Sequence, residues 1–181
     1  MKPGGGKAKG SAYEREIAKK ISLFLTEGKN PDTVWRSSNS GGKATVTKSM
    51  IGCGDLQSIS EESKKFFSIF SLELKNYKEL NLLDFQKENF ILNKWWEQAS
   101  TDAKRANKIP LLIIRISRKG DFVCWDNEAG DKIAEYFNVI IDSRERSYFD
   151  CSNIKIANKK YILSLFPVEY FFGRLILSKV T

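Results

Sequence analysis

The sequence predicts an α/β domain with a central mixed β-sheet flanked by helices, and three observations favour this fold class. A helical pattern is followed by strand-like runs, then by a second helical pattern and further strands, an order typical of such domains. The chain has no internal repeat. Its 181 residues are most simply one domain, long enough to bury a substantial core without disulfide bonds.

The chain begins with a predicted basic arm and a helix. Residues 1–10, MKPGGGKAKG, are rich in Gly and Lys and predict a flexible arm, or a terminus without a role, before a single domain of residues 11–181. Ser11 is a candidate N-cap, since Glu14 follows it at the capping-box spacing. Gly28 is a natural helix stop. The apolar stripe of this helix consists of Ile17, Ile21, Phe24 and Leu25.

Two short strands and a loop are predicted next. The first strand lies around Val34–Arg36 and the second near Asp55. Between them the chain is rich in Ser, Gly and Lys, which predicts a mobile loop. The residues SISEESKK then predict a polar turn. Candidate phosphate contacts in this part of the chain are Arg36, Lys43 and Lys48.

A further strand is predicted over Phe66–Asn76, FFSIFSLELKN, and its two faces differ. Apart from Ser68, one face is apolar up to Leu74, and it consists of Phe66, Ser68, Phe70, Leu72 and Leu74. The other face consists of Phe67, Ile69, Ser71, Glu73 and Lys75. Burying the carboxylate and the ammonium group at its end would cost on the order of several kcal/mol unless they are paired, solvated or bound to a metal.

The rest of the chain predicts a second long helix and more strands. Residues 84–108 have helical periodicity, in which Trp95 is expected to pack in the core. IPLLIIRIS and FVCW, joined by the turn RKGD, predict a β-hairpin with a buried first strand. Residues 148–166 predict further short strands, and VEYFFGRLI predicts a closing helical turn.

The composition limits the chemistry of any site. The chain contains no histidine, which excludes histidine triads, histidine general bases and zinc sites that use histidine. Cys53, Cys124 and Cys151 are far apart and form no CxxC pair, so they are interpreted as reduced cysteines. Any catalysis is therefore expected to depend on carboxylates, lysine and a bound hard cation.

Charge and hydropathy indicate the partner and the compartment. The formal net charge of +8 favours a polyanionic partner, with nucleic acid first. No apolar run approaches the ~20 residues that cross a bilayer. A secretory signal has an apolar segment after its basic N-terminus, and this sequence has no such segment there. We therefore expect a cytoplasmic protein without a membrane partner.

The pair Glu73 and Lys75 indicates a site that carries chemistry only if another acid lies close to it. An isolated Glu-x-Lys is interpreted as a salt bridge at a strand end. Asp55 is the candidate acid. It follows GCG, whose small residues allow a close backbone approach, and it precedes the strand by a hairpin-sized interval. Antiparallel pairing would bring Asp55 beside Glu73. Two adjacent carboxylates repel unless a cation joins them, and Mg²⁺ suits such a site.

The order of these motifs resembles the PD-(D/E)xK, or restriction-endonuclease-like, nuclease superfamily. The shared pattern is a helix with Glu14, then Gly54-Asp55, then Glu73-Leu74-Lys75, then a helix. The opening KGSAYEREIAKKI is similar to the first helix of the Holliday-junction resolvase branch, and KIPLLIIRI lies where that fold has a core strand. The resemblance covers roughly Lys9 to Trp125. It implies a restriction-endonuclease-like fold and an endonuclease that acts on duplex or branched DNA as a homodimer.

The resemblance also implies site roles. Asp55, Glu73 and the backbone carbonyl of Leu74 would be ligands of Mg²⁺, for which Mn²⁺ would substitute, and Glu14 would reach the metal through water. Lys75 would hold and help deprotonate the attacking water, or stabilise charge on the phosphate. Three features depart from the family pattern. Gly54 stands where a proline is usual, the interval from Asp55 to Glu73 is long, and the choice of Glu14 over Glu16 depends only on the match to YER.

Several polar residues are further candidates for DNA binding. Gln98 resembles a glutamine that some superfamily members carry on the helix after the Glu-x-Lys strand, with a solvent-facing glutamine as the alternative. Asn76 and Lys78 are possible phosphate contacts, although such residues are commonly just solvated.

Two classes of function remain open, besides a cytoplasmic structural protein for which the Glu-x-Lys, the basic charge and the YER helix would be coincidences. The first is a metal-dependent endodeoxyribonuclease, either structure-selective like a junction resolvase or of the restriction or repair type. The second is a nucleic-acid-binding module that keeps the nuclease fold without cleavage.

Overall fold

The computed structural model describes residues 5–37, 54–80, 90–137, 154–157 and 162–168. Its helices are α1 (Gly5–Leu25), α2 (Glu61–Ile69), α3 (Ile91–Arg105) and α4 (Asn127–Phe137). Its strands are β1 (Val34–Arg36), β2 (Leu56–Ser58), β3 (Phe70–Tyr77), β4 (Ile109–Ile116), β5 (Gly120–Asp126), β6 (Ile154–Ala157) and β7 (Ile162–Pro167).

The main sheet has five strands in the order β3-β4-β5-β7-β6. Strands β3 and β4 are parallel, with Glu73 opposite Leu112, and the other pairs are antiparallel. The parallel pair is connected through α3, as parallel strands require a crossover. Strands β1 and β2 form a separate antiparallel pair in which Arg36 lies opposite Leu56. The predicted α/β fold with a mixed sheet between helices is confirmed.

Helices cover both faces of the sheet and create two apolar layers. On one face, α1 and α4 pack over β3 and β4, where Ile17 and Ile21 are fully buried with Leu72. On the other face, α3 packs through Trp96 against Leu112 and neighbouring strand residues. Trp96 is therefore the core residue of the tryptophan pair. Trp95, which was expected in the core, is only partly buried and lies edge-to-face against the Tyr77 ring at 5.1 Å.

Most elements predicted from the sequence are present. The strand around Val34–Arg36, the hairpin of β4 and β5, and short strands within residues 148–166 are confirmed. Cys124 is a free, buried cysteine, whereas Cys53 and Cys151 lie outside the described residues. The predicted closing helical turn also falls almost entirely outside them.

Three local predictions were wrong. Residues Phe66–Ile69 belong to α2 rather than to a strand, because Ser63, Phe66 and Phe67 are buried at the helical spacing of three and four. Ser60 and two acids in the first turn mark the start of this helix where a polar turn was predicted. Helix α1 starts at Gly5, so Ser11 is not its N-cap and residues 5–10 are helical rather than a flexible arm. Helix α4 was not predicted.

The pairing of the second strand also differs from the prediction. Strand β2, which follows Asp55, pairs with β1 and not with β3. No helix in the described parts of the chain is long and apolar enough to cross a membrane.

Candidate active site

Asp55 is fixed against β3 by its backbone and its side chain. The Asp55 amide donates to the carbonyl oxygen of Leu72 at 2.7 Å, and the amide of Leu74 donates to Asp55 Oδ2 at 2.8 Å. These two contacts lie on either side of Glu73 in the sequence. Asp55 therefore meets the strand that carries Glu73, as predicted, but through these two bonds and not through a strand ladder.

Gly54 permits this close approach. Its φ is +87°, a conformation that favours glycine, and a Cβ atom there would lie 2.7 Å from the Leu72 carbonyl oxygen. The small residues before Asp55 were predicted to allow a close backbone approach. At Gly54 the close neighbour is the backbone of β3.

Glu73, Lys75 and Gln98 form a hydrogen-bonded triangle on the face of β3 that α3 covers. Glu73 Oε1 accepts from Lys75 Nζ at 2.6 Å and from Gln98 Nε2 at 2.7 Å. Lys75 Nζ also donates to Gln98 Oε1 at 3.1 Å. Glu73 is only 5% exposed. The predicted salt bridge of the Glu-x-Lys pair is present. Gln98 is solvent-exposed on α3, as the alternative expected, but it also hydrogen-bonds to both members of this pair.

Glu14 and Glu16 point to different partners. Glu14 Oε2 accepts from Arg36 Nε, and the Glu14 charge acts on both Asp55 and Glu73. Glu16 accepts two hydrogen bonds from Arg115, both at 2.6 Å. Of the two candidate helix acids, Glu14 is thus the one in electrostatic reach of Asp55 and Glu73.

Asp55 and Glu73 hold their protons unusually strongly. Burial and the nearby charge of Glu73 raise the pKa of Asp55 to about 7, although the hydrogen bond from Leu74 lowers it. Burial also raises the pKa of Glu73, against the lowering effect of Lys75. Lys75 therefore offsets only part of the negative charge that the two carboxylates bring together.

This donor set fits a hard divalent cation in its chemistry. Within the described ranges, no three His, Cys, Asp or Glu residues are grouped closely enough to bind a metal by side chains alone. The available ligands are two carboxylates and a backbone carbonyl. In a β-strand the N–H and C=O of one residue point to the same side, so the Leu74 carbonyl faces the side of Asp55. Mg²⁺ is commonly held by one or two carboxylates with waters completing its shell.

The remaining predicted DNA contacts are distributed around this site. Asn76 and Lys78 are exposed at and just beyond the end of β3. Arg36 is bound to Glu14. Lys43 and Lys48 lie outside the described residues.

Sequence reasoning missed one charged cluster near α1. Arg115 forms paired hydrogen bonds with Asp121 at 2.7 and 2.8 Å in addition to those with Glu16, and Lys20 donates to Asp121 at 3.0 Å. We refer to Arg115, Glu16, Asp121 and Lys20 as the Arg115 cluster. The only sequence signal for it was a charged residue, Arg115, inside the apolar run IPLLIIRIS.

Comparison with known proteins identifies the family. A family model described as "Phage putative PDDEXK endonuclease" matches residues 5–169. The match extends past Trp125, where the resemblance seen in the sequence stopped. No curated protein and no solved structure matches the chain significantly. Because the matching residues make up most of the chain, this protein belongs to that PDDEXK endonuclease family.

Proposed function

We propose that this protein is a metal-dependent endodeoxyribonuclease that hydrolyses DNA phosphodiester bonds at the site formed by Asp55, Glu73 and Lys75. The observation that carries the proposal is the convergence of Asp55 on the strand of Glu73, bound to residues 72 and 74. Family membership supports nuclease activity and a DNA substrate. The formal net charge of +8 favours the same partner.

Asp55, Glu73 and the Leu74 carbonyl would hold the cation, which we propose is Mg²⁺ with Mn²⁺ as a substitute. When bound, such an ion lowers the pKa of a water ligand and stabilises negative charge on the phosphate. The raised pKa values of Asp55 and Glu73 support this assignment. Burial and nearby negative charges raise these pKa values, and a bound cation would stabilise the ionised carboxylates against both effects.

Lys75 is proposed to orient the attacking water and to stabilise charge on the phosphoryl oxygens. Its ammonium group lies 2.6 Å from Glu73 and 3.1 Å from Gln98, so its position is fixed before substrate binds. Gln98 would orient both partners of this pair. Glu14 would act on the cation through a water molecule, which its electrostatic effect on Asp55 and Glu73 supports.

We further propose that the enzyme prefers branched DNA, as a Holliday-junction resolvase does, and acts as a homodimer. The similarity of KGSAYEREIAKKI to the first helix of resolvases supports this preference. A restriction or repair endonuclease of the same fold is the alternative within this class. A dimer would give two sites for the two strands of a substrate.

The test is a cleavage assay on linear duplex, single strand, flap and four-way junction, with and without Mg²⁺. We expect cleavage only with the metal, and faster cleavage of the junction than of linear duplex of the same sequence. Equal rates on both would favour the restriction or repair alternative. DNA binding without cleavage on every substrate and with every metal would favour the non-catalytic binding module.

Variants assign the activity to the site. Asp55→Ala and Lys75→Ala should each lower the cleavage rate by at least about 10³-fold while changing DNA affinity only a few-fold. Glu16→Gln is the matched control, because it removes an acid from the same helix as Glu14 but away from the site, and it should cleave normally. Wild-type activity in Asp55→Ala or Lys75→Ala would remove the assigned site.

A further inference from the structure

The arginine predicted to contact a DNA phosphate and the acid proposed to act on the cation are bound to each other. Arg36 Nε donates to Glu14 Oε2, and the two side chains are only 27% and 15% exposed. A guanidinium that holds a carboxylate also has the geometry to hold a phosphate. Glu14 and a DNA phosphate are therefore competitors for the same group.

The position of Arg36 connects this pair to the proposed metal ligands. Arg36 lies opposite Leu56 in the β1–β2 pair, and Leu56 is the residue that directly follows Asp55 in the chain. The neighbouring amide of Ser37 donates to the Asp55 carbonyl oxygen at 2.8 Å. Strand β1 is thus joined to the segment that carries Asp55, and Arg36 lies between α1 and that segment.

We propose that Arg36 is a positioning residue that exchanges partners, holding Glu14 in the free protein and a DNA phosphate in the complex, so that DNA binding releases Glu14 toward the cation. This inference rests on the proposed function of the site. Its consequence is positive coupling between DNA and the divalent ion. The coupling must be reciprocal, because each ligand changes the affinity for the other by the same factor.

Simple electrostatics would also couple DNA binding to binding of the divalent ion, because neutralising the positive charge of Arg36 favours a cation nearby. The exchange predicts something further, namely that the effects of Arg36 and Glu14 are not additive. If Arg36 weakens cation binding by holding the Glu14 carboxylate, then replacing Arg36 should not change the cation affinity of a protein that already carries Glu14→Gln. A double-mutant cycle separates the two explanations.

The first experiment measures Mn²⁺ binding without DNA in the wild type, Arg36→Met, Glu14→Gln and the double variant. Arg36→Met should bind Mn²⁺ about fivefold more tightly than the wild type, the range of a partly exposed ion pair. The double variant should bind no more tightly than Glu14→Gln alone. An equal gain from Arg36→Met in both backgrounds would overturn the exchange.

The second experiment measures affinity for a DNA duplex in the presence of a chelator, and it does not depend on the folding of Arg36→Met. Glu14→Gln should tighten DNA binding about fivefold by releasing Arg36. Glu16→Gln removes the same charge from the same helix, but its partner is Arg115, so it should produce a smaller gain. Equal gains from Glu14→Gln and Glu16→Gln would overturn the exchange.

Asp55→Asn distinguishes failure of this inference from failure of the proposed function. Weakened Mn²⁺ binding in Asp55→Asn, together with additive effects of Arg36 and Glu14, would keep the metal site and overturn the exchange. Unchanged Mn²⁺ binding in Asp55→Asn would overturn the proposed site, and the exchange with it.

Discussion

Helix α1 contributes one acid to each of two charged clusters, and the clusters differ in charge balance. In the Arg115 cluster, burial opposes the ionisation of Asp121, but hydrogen bonds from Arg115 and Lys20 outweigh it and lower its pKa. The hydrogen bond from Arg115 likewise lowers the pKa of Glu16. At the candidate active site the pKa values of Asp55 and Glu73 are raised instead.

This difference distinguishes a structural cluster from a candidate functional site. Each acid of the Arg115 cluster shares a guanidinium that is already positioned, so its charge stabilises the fold. Asp55 and Glu73 are two buried carboxylates with one lysine, Lys75, between them, and this arrangement lowers the stability of the fold. Buried acids with raised pKa values, whose ionised forms do not stabilise the fold, are typical of functional sites, where a ligand supplies the missing positive charge.

The largest expected effect lies in the Arg115 cluster. Asp121 is only 4% exposed and accepts from both Arg115 and Lys20. Asp121→Asn should therefore lower the free energy of unfolding by about 2–3 kcal/mol, somewhat less than for a fully buried pair because Arg115 and Lys20 are partly exposed. Urea denaturation measures this loss. A change below about 0.5 kcal/mol, typical of surface sites, would show that the cluster is not structural.

A second substitution tests the backbone that positions Asp55. Gly54→Ala should cost about 2 kcal/mol, from the left-handed φ and from the Cβ that would approach Leu72. Gly28→Ala is the matched control, because Gly28 has φ +83° but open space around it, and it should cost about 1 kcal/mol. Only Gly54→Ala should also reduce cleavage. Equal losses of stability, with normal cleavage in both variants, would contradict the role given to Gly54.

The third substitution, Asp55→Asn, should raise the free energy of unfolding, whereas Asp121→Asn should lower it. Burial and the nearby charge of Glu73 raise the folded-state pKa of Asp55 to about 7 from its ordinary value of 3.8, so the folded protein retains a proton that the unfolded chain releases. The free energy of unfolding therefore falls as pH rises from about 4 to 7. Without metal at about pH 8, Asp55→Asn should stabilise the protein by about 1 kcal/mol, a value reduced for the partial exposure of Asp55. Destabilisation measured by thermal unfolding would contradict the charge imbalance.

The sequence predicted which residues of the candidate site lie together better than it predicted the elements that position them. Alternation along β3 placed Glu73 and Lys75 on one face because strand periodicity is local. It could not assign Phe66–Ile69, since an apolar run such as FFSIF fits a buried strand and a helix end equally. The Arg115 cluster could not be predicted either, because Arg115 and Glu16 are 99 residues apart and their contact depends on how α1 packs on the sheet.

The smallest expected effect joins metal binding to protonation at Asp55. A proton and a divalent cation compete for the Asp55 carboxylate, whose pKa is raised to about 7, so Mg²⁺ should bind more tightly at about pH 8 than at about pH 5. Saturating Mg²⁺ should then raise the unfolding temperature by a few degrees at the higher pH and by less at the lower pH. Asp55→Asn cannot exchange a proton for the ion at this position, so its response to Mg²⁺ should be weak at both pH values. A pH dependence that survives in Asp55→Asn would assign the proton to another group, and the contrast with the balanced Arg115 cluster would then rest on Glu73 alone.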